Sequence, residues 1–256
     1  MYAVSVSGTN AGDVVEQLAG AADGRVGIVR GGSDGIDAEP AGGTEYVVGD
    51  GWRGAGGGMS LREAIDRLAP DHEYAFVLGA PEARLPTVAV GGEAGDAAVS
   101  VRDPNAFDPA SVLEAIRGVE PYETLESLVA AVKRSDRAAY SGAIATFTGR
   151  VRAKEDADDE RTRYLEFEKY EGVAEERMAT IETELEERPG VLDVRLHHRT
   201  GRIPDGEDIV FVVVLAGHRG EAFEAVEDGI NRLKEEVPLF KKEVTDGEAF
   251  WVHERQ

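Results

Sequence analysis

The sequence predicts an α/β fold in two domains, residues 1–120 and 121–256. Its 256 residues exceed the roughly 100–200 of a typical single domain. In the first half, short apolar runs alternate with helical patterns and glycine-rich turns, as in a parallel sheet with crossover helices. In the second half, Ile209-Val210-Phe211-Val212-Val213-Val214-Leu215 is apolar throughout, which suits a central strand buried on both faces.

The elements follow in chain order. Residues 3–7 read as a strand, 9–19 as a helix and 24–30 as a second strand. Residues 31–58 are dense in glycine and read as loops around a strand at 46–48. Residues 61–68 are helical, and 74–78 and 87–90 are apolar strands divided by a proline-containing turn. Asp103-Pro104 and Asp108-Pro109 are turn and helix-start signals. A helix at 109–117 therefore closes the first domain, and 118–121 is the boundary. Beyond it, a helix at 124–134 puts Leu125, Leu128, Val129 and Val132 on one face. Residues 141–151 form a strand, 154–163 a charged loop and 164–170 an alternating strand. Ala174, Met178, Ile181 and Leu185 share a face of a helix at 172–188. Strands at 191–199 and 208–216 precede a helix at 220–237, whose stripe is Phe223, Val226, Ile230, Leu233 and Val237. Pro238 ends that helix. Residues 248–253 make a last short strand.

Composition narrows the chemistry. The chain has no cysteine, which excludes disulfides, thiolate metal sites and a cysteine nucleophile; sulfur chemistry here requires a partner that carries the sulfur. A net charge of −22 repels nucleic acid and anionic lipid. The carboxylates are dispersed along the chain rather than gathered in a tail, which points to adaptation to high salt. No apolar run reaches the roughly 18–20 residues that cross a bilayer. Met1-Tyr2-Ala3-Val4-Ser5-Val6 lacks the basic region and apolar stretch of a secretion signal, so a cytoplasmic protein is expected. No His/Asp/Glu spacing resembles a metal site. His72 and His253 read as incidental. His197 and His198 alternate along a strand, so one of them faces the core.

Lysine is the informative residue. There are six lysines against 22 arginines, and three of the six, Lys234, Lys241 and Lys242, fall within residues 234–242. Residues 1–132 contain none. The loop Ser7-Gly8-Thr9-Asn10-Ala11-Gly12, between the first strand and helix, stands where phosphate-binding loops stand, but no lysine is at hand to reach a terminal phosphate. It reads as a glycine-rich turn in a degenerate P-loop-like domain.

Three cationic segments are candidates for one site. His218 and Arg219 follow the central strand and open the next helix, a common anion position, although a lone histidine there is more often a cap. Lys234 lies near that helix's far end, where a cation also suits the helix dipole. Lys241 and Lys242 lie past Pro238. Arg150 and Arg152 flank Val151 at the end of another strand and are individually ordinary ion-pair residues. Convergence of the three segments would build a cationic pocket for a phosphorylated or carboxylate-bearing substrate. Packed lysines would depress one another's pKa and serve proton transfer.

These segments resemble a known family. Gly142-Ala143-Ile144-Ala145-Thr146-Phe147-Thr148-Gly149-Arg150-Val151-Arg152 resembles the first signature of the MoaE family, the molybdopterin synthase catalytic subunits. Leu165-Glu166-Phe167-Glu168-Lys169-Tyr170-Glu171-Gly172, His198-Arg199-Thr200-Gly201-Arg202-Ile203 and Ala216-Gly217-His218-Arg219-Gly220-Glu221-Ala222-Phe223 are similar to its next three. Leu233-Lys234, Val237-Pro238-Leu239-Phe240-Lys241-Lys242-Glu243 and Trp251-Val252 complete the pattern, collinear across residues 121–256.

The resemblance implies a hammerhead-like α+β fold for residues 121–256 and a homodimer within a heterotetramer. It implies cyclic pyranopterin monophosphate as substrate. It further implies a ubiquitin-like sulfur-carrier small subunit, whose C-terminal Gly-Gly thiocarboxylate delivers sulfur. Lys234 and Lys241 match the catalytic positions. Arg150, Val151, Arg152, His218, Arg219, Lys242 and Glu243 match substrate-binding positions. No cofactor or metal is implied. The first half more faintly resembles the P-loop adaptor (MobB-like) of molybdopterin-guanine dinucleotide synthesis, from which the missing lysine departs. A different class of function uses the same lysines: a docking module, itself modified through an isopeptide bond by the ubiquitin-like protein.

Overall fold

A computed structural model describes residues 1–31, 44–80, 84–92, 95–170, 172–247 and 249–252; Glu171, Glu248, His253 and part of the glycine-rich segment lie outside the described residues. The chain forms two compact units, Met1–Thr124 and Leu125–Gln256.

The first unit runs β1 (Tyr2–Gly8), α1 (Ala11–Ala21), β2 (Val26–Arg30), β3 (Glu45–Val48), β4 (Trp52–Ala55), α2 (Leu61–Leu68), β5 (Tyr74–Leu78), β6 (Thr87–Val90), β7 (Val99–Val101) and α3 (Pro109–Arg117). Five strands form one sheet in the order β2-β5-β1-β6-β7, with every pair parallel. All five residues of β5 are buried, as its unbroken apolar run requires. Ser60 and Glu63 form a capping box at the start of α2, and Asp108 caps α3 just before Pro109. Two elements were not legible. Strand β4 pairs antiparallel with β3 as a separate hairpin, inside the segment read as loops. Strand β7, in the expected connection, is too short to show a period. Gly8 has φ 113°, and a Cβ there would stand 2.0 Å from the Val90 carbonyl oxygen. The approach of β6 thus demands this glycine, whatever the loop binds.

The second unit contains α4 (Leu125–Lys133), β8 (Ala143–Arg150), β9 (Thr162–Lys169), α5 (Val173–Glu186), β10 (Val191–His198), β11 (Gly201–Pro204), β12 (Asp208–Ala216), α6 (Arg219–Glu236), β13 (Leu239–Thr245) and β14 (Ala249–Val252). Its two sheets, β10-β12-β8 and β11-β9-β13-β14, are antiparallel, so this unit is α+β. Strand β12 is central. Val210, Val212 and Val214 pack in one core with residues of α5 and α6, while Phe211, Val213 and Leu215 pack with Leu128 and Val132 of α4. Cover on both faces explains why the run has no polar alternation.

The buried face of α6 is Ala222, Ala225, Val226, Gly229, Ile230 and Leu233. Phe223, expected in this stripe, is 66% exposed. Small residues take the core positions because the helix lies close to the sheet; a Cβ on Gly229 would stand 3.1 Å from Val212 Cγ1. At the free edge of β10, the backbone N–H groups of Val194 and Leu196 donate to Glu186 and Glu182 of α5, at 2.8 and 2.6 Å. Burial pushes the Glu182 carboxyl up to about 7, against the lowering effect of the Leu196 N–H.

Candidate active site

A cavity of about 1100 Å³ opens in the second unit. The end of β8, strand β9, the last turns of α6 and strand β13 line it. Pro238 stops α6 and turns the chain directly into β13, which runs antiparallel to β9. This strand was not predicted, because its sequence, Leu239-Phe240-Lys241-Lys242-Glu243-Val244-Thr245, has no clean alternation of apolar and polar residues.

The pleat of β13 sorts the residues. Leu239, Lys241, Glu243 and Thr245 alternate on the cavity face, and Phe240 also reaches the lining near the start of the strand. Lys241 stands opposite Phe167 in the β9 ladder, and Glu243 opposite Leu165. The Glu243 carboxylate accepts a hydrogen bond from the Thr162 hydroxyl. Lys242 does not line the cavity; its Nζ lies 3.4 Å from Glu166 and 5.8 Å from the Trp251 ring centroid. Lys234, in the last turn of α6, also lines the cavity. Among the described residues, neither Lys234 nor Lys241 has a carboxylate within ion-pair distance.

Arg150 and Arg152 form part of the lining and sit at its exposed rim. Arg150 Nε lies 3.0 Å from Asp208, and Arg152 Nη1 lies 3.2 Å from Glu155. Val151, between them, is buried with Leu165, Phe167, Ile203 and Ile209 and cannot meet a substrate through its side chain. His218 and Arg219 are exposed at the N-terminal end of α6. At 1.5 Å per residue, Arg219 lies roughly 22 Å along the helix from Lys234. The cavity therefore joins two of the three cationic segments within one chain, and the third stays outside it.

Charge in the lining is closer to balance than the sequence suggested. Arg150, Arg152, Lys154, Lys234 and Lys241 face Glu155, Asp159, Glu160 and Glu243. Several of the carboxylates are engaged: Glu155 with Arg152, Glu160 with the Thr245 hydroxyl and Glu243 with Thr162. The three clustered lysines do not pack together, since Lys242 is on the opposite face of the sheet.

His198 is a lining residue that sequence reasoning left unassigned. It is buried, its ring meets Phe167 edge to face at 4.7 Å, and its Nδ1 lies 2.8 Å from the Arg199 carbonyl. Alternation along β10 offered the only signal: His197 stacks on Phe211 on the other face. Among the described residues, no group of three His, Cys, Asp or Glu is placed to hold a metal ion, and no helix is long and apolar enough to cross a membrane.

Residues 120–236 match the protein family described as MoaE protein. A protein of Haloferax volcanii named probable molybdopterin synthase is 49% identical over 261 residues, covering 100% of both chains. The molybdopterin synthase catalytic subunit of Cereibacter sphaeroides is 42% identical over 118 residues, covering 46% of this chain and 78% of that one. Among solved structures, molybdopterin synthase from Staphylococcus aureus is 33% identical, covering 53% of this chain and 93% of its own, with a TM-score of 0.46. With identity of this level running the full length of a relative, and the family match running through β8, β9 and α6 of the cavity wall, the chain belongs to the MoaE family, the molybdopterin synthase catalytic subunits.

Proposed function

We propose that this chain is a sulfurtransferase, the catalytic subunit of molybdopterin synthase in molybdenum cofactor biosynthesis. It moves sulfur from the C-terminal thiocarboxylate of a ubiquitin-like small subunit to cyclic pyranopterin monophosphate. The observation that carries this reading is the pair Lys234 and Lys241 on the wall of one cavity, with no carboxylate at ion-pair distance from either among the described residues, in a chain of net charge −22. The chain has no cysteine, so the sulfur comes from the partner.

The division of labour follows from position. Arg150 and Arg152 at the rim hold the substrate phosphate through charge-assisted hydrogen bonds. Lys241 and Lys234 supply and remove protons as the sulfur adds to the pterin side chain and oxygen leaves. At about 1100 Å³ the cavity exceeds the roughly 300–1,000 Å³ of most single-ligand sites, which suits a pterin together with a Gly-Gly tail. His218 and Arg219, at the far end of α6, act on substrate from a second copy of the chain, which gives the homodimer a catalytic reason. Two such chains with two small subunits make a heterotetramer, working in the cytoplasm. The two lysine amines on the cavity wall also favour a second reading, acylation of one of them by the activated partner terminus.

Incubation with a thiocarboxylated small subunit and cyclic pyranopterin monophosphate should yield molybdopterin. Absence of product, with the small subunit found instead joined to Lys234 or Lys241 by mass spectrometry, would replace the first reading with the second.

A further inference from the structure

Strand β9 enters the cavity wall through an irregularity. Along most of its length it pairs with β13 one residue to one, Phe167 with Lys241 and Leu165 with Glu243. The register then shifts: Val244 faces Tyr164, but Thr245 faces Thr162, which leaves Arg163 as an extra residue. A bulge of this kind re-aims the side chains beyond it. Under strict alternation, residue 163 would follow Phe167 and Leu165 onto the cavity face. Instead Arg163 is exposed and pairs with Asp246, and Thr162 takes the cavity position, where it is buried. The Thr162 N–H donates to the Ala153 carbonyl at 2.8 Å, which fixes the backbone at this point.

The hydroxyl brought in by the bulge donates to the carboxylate of Glu243. Along the cavity face of β13 the order is Lys241, Glu243, Thr245, and Thr162 stands level with Thr245. The bond therefore draws the Glu243 carboxylate toward the bulge, on the side away from Lys241. The neighbouring hydroxyl cannot replace it: Thr245 gives its one hydrogen to Glu160, at 2.9 Å.

Without the bond the two charges could meet. Residues i and i+2 on one face of a strand lie about 6.6 Å apart at Cα, within the combined reach of a lysine and a glutamate side chain. An ion pair there would favour the charged ammonium and set a carboxylate against the substrate for the same donor.

We propose that Thr162 is a positioning residue: its hydroxyl tethers the Glu243 carboxylate at the bulge, so that Lys241 meets the substrate rather than a carboxylate of its own strand. This rests on the proposed function for the role of Lys241, and adds the residue that keeps its neighbour on the cavity face away from it.

Thr162→Val removes the hydroxyl and keeps the branched shape. In the synthase assay, with the full chain and a thiocarboxylated small subunit, it should lower kcat about tenfold, the order expected for one hydrogen bond to a charged group. KM should stay near the wild-type value, because the rim arginines are untouched. Thr162→Ser keeps the donor and loses a buried methyl, so it should melt below wild type yet turn over at nearly the wild-type rate. A role in packing alone would favour valine over serine. Thr162→Ala, which also lacks the donor, serves the same comparison should the valine variant not fold.

A second measurement does not depend on turnover. With six lysines in the chain, the side-chain signal of Lys241 can be identified by NMR from its loss in Lys241→Ala. It should move on Thr162→Val at neutral pH, and should not move when the same change is made in a Glu243→Gln background. Wild-type kcat in the variants lacking the hydroxyl, serine no better than valine or alanine, or a Lys241 signal indifferent to Thr162→Val would each overturn the tether. If the wild-type chain makes no molybdopterin the proposed function falls, and the Lys241 signal still decides whether Thr162 holds Glu243 back.

Discussion

Lys241 and Lys242 are neighbours in the chain on opposite faces of one strand. Lys241 lies across from Phe167 on the cavity wall, and Lys242 lies across from Glu166, its ion-pair partner outside the cavity. Two residues of the same type, one peptide bond apart, thus have different chemistry available to them. The cause is the twofold side-chain period of a β-strand.

Lys241→Ala and Lys234→Ala should each lower synthase turnover by about 10²–10⁴-fold, the usual cost of losing a positioned proton-transfer group. Neither side chain belongs to the core, so the stability cost should be near the ~0.5 kcal/mol of surface changes. Lys242→Ala should reduce turnover far less, because it removes only a partly exposed pair with Glu166. Turnover and melting temperature measured on all three variants check this. Equal losses at 241 and 242 would mean that strand face does not select the catalytic lysine.

Glu182→Gln should flatten part of the pH dependence of stability. The folded chain raises this carboxyl from 4.5 to about 7, so it favours the protonated form. The stabilisation is fully present below about pH 4.5 and is lost as pH rises through 7. The range corresponds to about 3 kcal/mol at most, less where solvent screens the site. Glutamine keeps an acceptor for the Leu196 N–H without the charge. Urea unfolding of both proteins at pH 5 and pH 8 should show the variant gaining on wild type at pH 8 only; a constant difference at the two pH values would refute the linkage.

Stability should rise with salt. The excess of 50 acidic over 28 basic residues makes the carboxylates repel one another in the compact state, and counterions screen that repulsion within about 3 Å at molar strength. The melting temperature should climb steadily from dilute buffer to molar KCl. No change across that range would count against adaptation to high salt.

The full chain should not hydrolyse GTP. Residues 1–132 supply no lysine to the loop after β1, and Gly8 is occupied in packing against Val90. Phosphate release above background, lost on mutation of residues 8–12, would show that another group substitutes for the lysine.

By itself the sequence determined the class of each half, the central place of Ile209–Leu215 and the unusual lysines. Those features are local or compositional, so one residue's neighbours in the chain suffice to read them. The collinear motifs determined the family for the same reason. Tertiary structure alone decided which charged residues meet. It turned Phe223 outward because α6 needs small residues at Ala222, Ala225 and Gly229 to approach the sheet. It buried Val151 between two rim arginines and left His218 and Arg219 a helix length from Lys234. It also made β13, whose residues show no period, a strand by pairing it with β9, and so gave Lys241 and not Lys242 to the cavity. His198 became a lining residue through Phe167, which is 31 positions earlier in the chain. Such pairings depend on register and sheet packing between distant segments, and no pattern within either segment encodes them.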